Sequence, residues 1–258
     1  MGTSPITYQN ISNIGGNKML KKFLSVIFSL LLVVGLVACG GGSATNFSSD
    51  GDNSSVSSGG SSNDNLKSQI QNCTPITEYA GNTSVDQMDT IIFGMDKNGD
   101  AIEWIVLEKN SNKALLLSKY LIDGNVYNNE IVDITWENCT CRKWLNSDFM
   151  NQIFNKKEQN SILVTDVINN DNAEYGSNGG NNTKDKLFFL SLDEFNKYFS
   201  LNVKAKTKEK NDDWMGGWWL RSYGTMQKGA QTVGPSGSVG ALSVKSMNGI
   251  RPALWVKN

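Results

Sequence analysis

Four cysteines, Cys39, Cys73, Cys139 and Cys141, have the widest chemical range in this chain, and no histidine accompanies them. A thiolate is a nucleophile and a metal ligand, but its pKa must be lowered by a helix N-terminus, a cation or a metal before it forms at neutral pH. Lack of histidine removes the usual general base and the commonest zinc ligand together. Cys139-x-Cys141 alone is a weak metal signal. Cys139 and Cys141 are also too close in sequence for an easy bridge. Cys73 with one or the other is the plausible disulfide, and the preferred reading is semi-buried thiols with or without that bond.

Carboxylates offer little more. Asp96-Lys97-Asn98-Gly99-Asp100 has the look of a calcium loop but lacks the later ligands and bidentate Glu of an EF-hand, and Asn-Gly is itself a hairpin signal. Asp193 and Glu194 follow Ser191 as a helix capping box, in which the hydroxyl and the Glu satisfy free N–H groups reciprocally. With no convincing paired-carboxylate motif, no metal and no cofactor are expected, and an enzyme is the least favoured class. The 24 basic and 25 acidic residues nearly cancel, so nucleic acid is not an expected partner.

The setting of Cys39 defines its chemistry. Lys21 and Lys22 precede an apolar run from Phe23 to Val34, then Leu36-Val37-Ala38-Cys39 and three glycines. A positive n-region, a short apolar stretch and a small-residue cleavage site make a secretory signal, and the run is shorter than the ~20 residues of a membrane span. With cysteine at the cleavage point the segment resembles a bacterial lipoprotein signal, whose lipobox reads [LVI]-[AST]-[GA]-C. The resemblance implies lipidation of Cys39 by a diacylglycerol thioether and an extracytoplasmic, membrane-anchored, surface-exposed protein. Residues 1–18 read as an over-extended start and 19–38 as the signal peptide. Residues 39–70, rich in Gly and Ser, read as the lipidated cysteine and a disordered tether reaching roughly 30 Å.

Residues 71–258 are long enough for one core. Thr90–Phe93 and Ala101–Glu108 are expected strands joined by the Asn-Gly turn, with Ile102, Trp104 and Val106 on the inner face. Lys113–Ser118 is a third. Arg142–Phe154 reads as a helix with Leu145, Phe149 and Ile153 inward and Trp144 widening the stripe. A short helix is expected over Lys157–Leu163, a polar loop over Asp171–Lys184, a strand over Leu187–Leu190 and a helix after the capping box, with Phe195, Tyr198 and Phe199 inward. Trp218, Leu220, Leu254 and Val256 alternate as strands do and are expected to pair in one central sheet.

The last stretch carries a second resemblance. Gly217-Trp218-Trp219-Leu220-Arg221-Ser222 and Asn248-Gly249-Ile250-Arg251-Pro252-Ala253-Leu254-Trp255-Val256 form a W-W-L-R-S … G-[IV]-R-P-A-L-W frame. Upstream segments Glu103–Leu107, Ala114–Lys119, Thr135–Glu137, Arg142–Asn146, Ile162–Thr165, Glu174–Gly176 and Thr183–Lys186 continue it in order. Together they resemble a bacterial family designated domain of unknown function 6273. The C-terminal frame is also similar to C-type-lectin-like domains of the formylglycine-generating-enzyme type, in which L-R and G-[FIV]-R-P-A bracket a ligand-facing segment. Enzymes of that type need cysteines in the C-terminal core, and none follows Cys141. The implied fold is α+β: a single compact, C-type-lectin-like domain with antiparallel strands, two to three short helices and a long irregular C-terminal loop region.

Within that fold Trp144, Trp219, Arg221, Arg251 and Trp255 are expected to be structural, the two arginines fixing the base of the variable-looking segment. Val233, Val239 and Val244 are its expected apolar anchors. Tyr223, Thr225, Met226, Gln227, Lys228, Leu242, Lys245 and Met247 are the expected ligand-binding residues, since irregular loops on a rigid scaffold are a common binding surface. The leading reading is a non-enzymatic module for an extracellular protein, peptide or glycan. A structural envelope lipoprotein without a specific ligand is the alternative.

Overall fold

The final strand, Ala253–Lys257, lies beside Lys113–Ser118, so the last residues of the chain close a sheet begun near its middle. The computed structural model describes residues 63–79, 83–199, 203–204 and 216–258. The expected start, signal peptide, lipidation site Cys39 and most of the tether lie outside the described residues.

In chain order the elements are α1 (Asn63–Asn72), β1 (Thr83–Ser84), β2 (Ile91–Met95), β3 (Ala101–Lys109), β4 (Lys113–Ser118) and β5 (Asp123–Val126). Next come α2 (Thr140–Trp144), a π turn (Leu145–Phe149), α3 (Met150–Ile153) and α4 (Lys156–Ser161). Then follow β6 (Thr165–Val167), β7 (Thr183–Asp185), α5 (Leu192–Phe199), β8 (Val203–Lys204), β9 (Trp218–Tyr223), β10 (Gly229–Val233), β11 (Val239–Ser243), β12 (Met247–Ile250) and β13 (Ala253–Lys257). One sheet has the order β13-β4-β3-β2 and is antiparallel throughout. The other has the order β11-β10-β9-β12-β5, with only β9 and β12 parallel. The fold is therefore α+β with mostly antiparallel strands and short helices.

The first hairpin follows from its sequence. Asp96 Oδ1 accepts from the backbone N–H groups of Asn98 and Asp100, and Gly99 takes φ +84°, a conformation an L side chain resists. In β3, Ile102 and Trp104 point inward as alternation predicts, but Ile105, Val106 and Leu107 are all buried as well. A register shift between Val106 and Glu108 changes which side chains face which side, and this part of the sheet is covered on both faces.

Four expectations need correction. Residues 63–70 belong to α1 rather than to a tether: on its polar sequence Leu66 and Ile70, one turn apart, are buried. Lys109 Nζ donates to the carbonyls of Ile70, Gln71 and Cys73 at 2.7–2.9 Å, closing the helix C-terminus with a cation. Leu187–Leu190 is buried but is not a strand. Asn146, in the π turn, accepts from the N–H groups of Lys186 and Leu187 and donates to Leu187 O, and only Phe188 bridges to Ala253. Trp218 and Leu220 lie in a different sheet from Leu254 and Val256. Lastly, the expected irregular C-terminal loop is regular: β10 pairs with β11 from Gly229↔Ser243 to Val233↔Val239.

The predicted helix over 142–154 forms as α2, π turn and α3, starting two residues earlier, with Cys139 Sγ accepting from Arg142 N at its N-terminus. The capping box forms: Ser191 N donates to Glu194 Oε2 and Glu194 N to Ser191 Oγ. Phe195, Tyr198 and Phe199 are buried behind it. With α1, α2–α3, α4 and α5, the described residues hold more helix than the two to three expected. Cys73, Cys139 and Cys141 are buried and free, so the open disulfide possibility is not realised.

Candidate functional site

Arg221 and Arg251 frame the segment expected to meet a ligand, and both are interior residues, 3% and 0% exposed. Arg221 donates from Nη1 and Nη2 to the two oxygens of Glu194, from Nη1 to Phe189 O (2.8 Å), from Nη2 to Ile168 O (2.9 Å) and from Nε to Asn169 Oδ1 (3.2 Å). A guanidinium has five N–H donors, and all are committed within the protein. Arg251 donates from Nε to Ser118 O at 2.9 Å and sits 4.8 Å from the Trp218 ring and 5.5 Å from that of Phe199. Burial pushes its pKa down. Gly249 precedes it by two because a Cβ there would stand 2.6 Å from Gly217 O and 2.8 Å from Leu121 Cδ1.

The tryptophans assigned structural roles divide by depth. Trp219 is buried, donates to Asn125 O at 2.9 Å and meets Tyr127 edge-on at 5.6 Å. Trp144 packs at the rim of the core, 4.6 Å from Phe149. Trp255 is half-buried with Lys113 Nζ 4.1 Å from its ring centroid.

Of the eight residues expected to bind ligand, Thr225, Met226, Lys228, Leu242, Lys245 and Met247 are exposed. The other two are corrected. Tyr223 is 1% exposed, because the loop after β6 covers the end of β9: Asn172 Nδ2 donates to Tyr223 O at 2.7 Å and Ser177 Oγ to Gly224 O. Gln227 is half-buried and latches two loops, donating to Ile134 O and Asn178 O and accepting from Asn178 N. Among the valines, Val233 and Val244 are buried as expected, whereas Val239 is 40% exposed on the edge strand β11.

Backbone bonds gather three turns at one end of the five-stranded sheet. Val244 N donates to Lys228 O, Asn128 N to Val244 O, and Ile134 N to Gln227 O. Met226, 69% exposed, lies at that end with Lys228 and Lys245; Met247, 68% exposed, opens β12 opposite Val126, three residues past Val244; and the loop before Ile134 adds Ile131 and Val132. Sequence reasoning missed these last two, whose only signal is a pair of apolar residues in a polar loop. Such a surface offers adaptable apolar contact and positive charge. The thiols lie inside, and burial pushes Cys73 up to about 11 and Cys139 up to about 12.

A family model described as Domain of unknown function (DUF6273) matches residues 111–258, and the chain belongs to that family. The match begins just before β4 and takes in both arginines and every expected ligand-binding residue. No curated protein and no solved structure matches the chain.

Proposed function

We propose that this member of the DUF6273 family is a non-enzymatic binding module, held outside the cytoplasm at a bacterial cell surface by a lipid on Cys39. Its contact surface is the sheet end carrying Met226, Lys228, Leu242, Lys245 and Met247, and its ligand is a protein, peptide or glycan. The observation that supports this reading is that the turns bearing exposed Met226, Lys228 and Lys245 are tied together by the Val244 N–Lys228 O bond, beside the edge strand that carries exposed Leu242. Anchoring rests on the lipobox-like Leu36–Cys39. A C-type-lectin-like organisation is part of the proposal: two buried arginines brace the base of an excursion that ends in exposed turns, and the frame sequence has that type's spacing.

The test is a screen of the full chain against glycan arrays and surface-protein libraries, repeated with Met226→Ala/Met247→Ala. Binding should weaken in the variant while its unfolding free energy stays within about 0.5 kcal/mol, as for exposed positions generally. A confirmed ligand indifferent to every substitution from Thr225 to Met247 overturns the site. Metabolic labelling with a fatty-acid analogue should mark the wild type and not Cys39→Ala, and equal labelling overturns the anchor.

A further inference from the structure

The two larger sheets have edges at β2, β13, β5 and β11, and the first three carry partners beyond the ladder. On β2, the Gln69 side chain of α1 accepts from Ile92 N at 2.8 Å and donates to Ile92 O. On β13, Ala253 exchanges backbone bonds with Phe188, and Trp255 O accepts from Leu163 N. On β5, Gly124 N and Val126 N donate to the side chains of Asp123 and Asn125, and Asn125 O accepts from Trp219 Nε1. An edge left open offers its backbone to another strand, and proteins usually close such edges or load them with charge.

β11 has neither protection. All of Val239-Gly240-Ala241-Leu242-Ser243 is exposed, and no residue in it is charged or proline. At the two ends of the β10–β11 ladder, Gly234 N donates to Ser238 O and Val244 N to Lys228 O. With the register running from Gly229↔Ser243 to Val233↔Val239, antiparallel alternation turns the N–H and C=O groups of Gly240 and Leu242 toward β10. Those of Val239, Ala241 and Ser243 point away from the sheet. Of these outward groups only Ser243 O has a partner among the described residues, the N–H of Ser246.

The outward groups are complementary to themselves. A two-fold axis at Ala241 sets Ala241 opposite its own copy and Val239 opposite Ser243. Ala241 N then meets Ala241 O, Val239 N meets Ser243 O and Ser243 N meets Val239 O, each bond made twice. The side chains agree with this register. Leu242 lies across from Gly240, so bulky groups do not compete. Lys245, two residues past the strand, lies across from the neutral turn at Gly237, whereas a parallel pairing would set the two lysines side by side. A patch that fits its own copy is what an isologous two-fold contact requires.

We propose that β11 is the contact of a two-fold dimer, in which a second copy of this chain pairs antiparallel with it about Ala241 and joins two five-stranded sheets into one. The strand supplies five residues per copy against the roughly 20–30 of a standard interface, so the dimer forms and dissociates with concentration. Sedimentation of the full chain should show one copy when dilute and a rise toward two, and no further, by about 1 mM. Hydrogen exchange should slow at the amides of Val239, Ala241 and Ser243 as concentration rises, while those of Gly240 and Leu242 stay protected throughout. Two variants test the register at exposed positions, where the unfolding midpoint should hold. Val239→Lys/Ser243→Lys sets like charges opposite each other, and Val239→Lys/Ser243→Glu sets opposite charges there. The first should dimerise at least about tenfold more weakly than the second, or about 1.4 kcal/mol. Association through the apolar run from Phe23 to Val34 would leave the two variants alike, and that result overturns the proposal. So do a chain that stays single at about 1 mM, assemblies larger than two, or slow exchange at Val239, Ala241 and Ser243 that is independent of concentration, which would mean that a segment of the same chain covers the edge.

Discussion

Arg142 reaches across to Asp185 at 2.7 Å, joining the helix that follows Cys139 to the strand β7. The Asp185 side chain is 1% exposed, and its second oxygen accepts from Trp136 Nε1 at 3.0 Å and Thr183 Oγ1 at 2.7 Å. One carboxylate thus satisfies a buried indole, a hydroxyl and a guanidinium.

Asp185→Ala should therefore destabilise the fold by about 3–5 kcal/mol, the usual loss when one partner of a buried pair is removed. Asp185→Asn should lose less, since it still offers an acceptor to Trp136 and Thr183. Urea unfolding measures both. Equal losses would mean that charge, not the hydrogen-bond hub, holds the junction.

Arg221→Lys keeps the charge but replaces a five-donor fork by a single ammonium. It cannot meet all of Phe189 O, which is buried, and Ile168 O and Asn169 Oδ1, which are part-buried, and should cost about 2–3 kcal/mol. Glu194→Gln should cost less, because the Glu194 side chain is 32% exposed and water compensates part of the loss. A Lys variant as stable as wild type would show that the fork does not hold the Ile168–Asn169 loop.

What was legible in the sequence was local. Ser191 and Glu194 announce their cap because both partners lie within one turn, and Asn98-Gly99 announces the β2–β3 hairpin. Arg221 and Glu194 do not announce each other, since 27 residues separate them. Leu187–Leu190 reads as a strand because a short apolar run shows only that it is buried, and its N–H partners turn out to include a side-chain amide, Asn146. Gly229–Ser243 reads as loop because its residues are small and polar, although ladder bonds between β10 and β11 need no large side chains. Tyr223 resembles an exposed aromatic until the Asn172–Ser177 loop is laid over it. α1 escaped notice because only Leu66 and Ile70 mark its buried side.

The three described thiols link stability to alkaline pH. Burial raises Cys73 to about 11 and Cys139 to about 12, and raises Cys141 well above its ordinary value. A thiol in the unfolded chain loses its proton near its ordinary value of 9.0, while the folded one keeps it. Between pH 9 and about 12 the native state binds more protons than the unfolded state, so stability falls as pH rises. Urea unfolding followed from pH 7 to 11 should show this decline. It should be smaller in Cys139→Ala relative to that variant's own value at pH 7. In the native protein at pH 8 a thiol reagent should modify these cysteines only at the rate of unfolding, and fast modification would contradict their burial.

Trp219 and Trp255 share the terminal sequence frame but not the same depth, and alanine substitution should separate them. Trp219 is 0% exposed, its indole N–H is bonded to Asn125 O and its ring meets Tyr127. Removing it opens a cavity and takes a donor from the part-buried Asn125 carbonyl, so Trp219→Ala should cost about 3–5 kcal/mol. Trp255 is half-buried and rests under Lys113, where water can refill part of the space. Trp255→Ala should therefore cost distinctly less, about 1–2 kcal/mol. Met226→Ala and Met247→Ala, on side chains about two-thirds exposed, should fall below both. Thermal and urea unfolding of the four variants give the ranking. If Trp255→Ala proves as damaging as Trp219→Ala, or either methionine as costly as Trp255, then the division between a buried frame and an exposed contact surface is wrong.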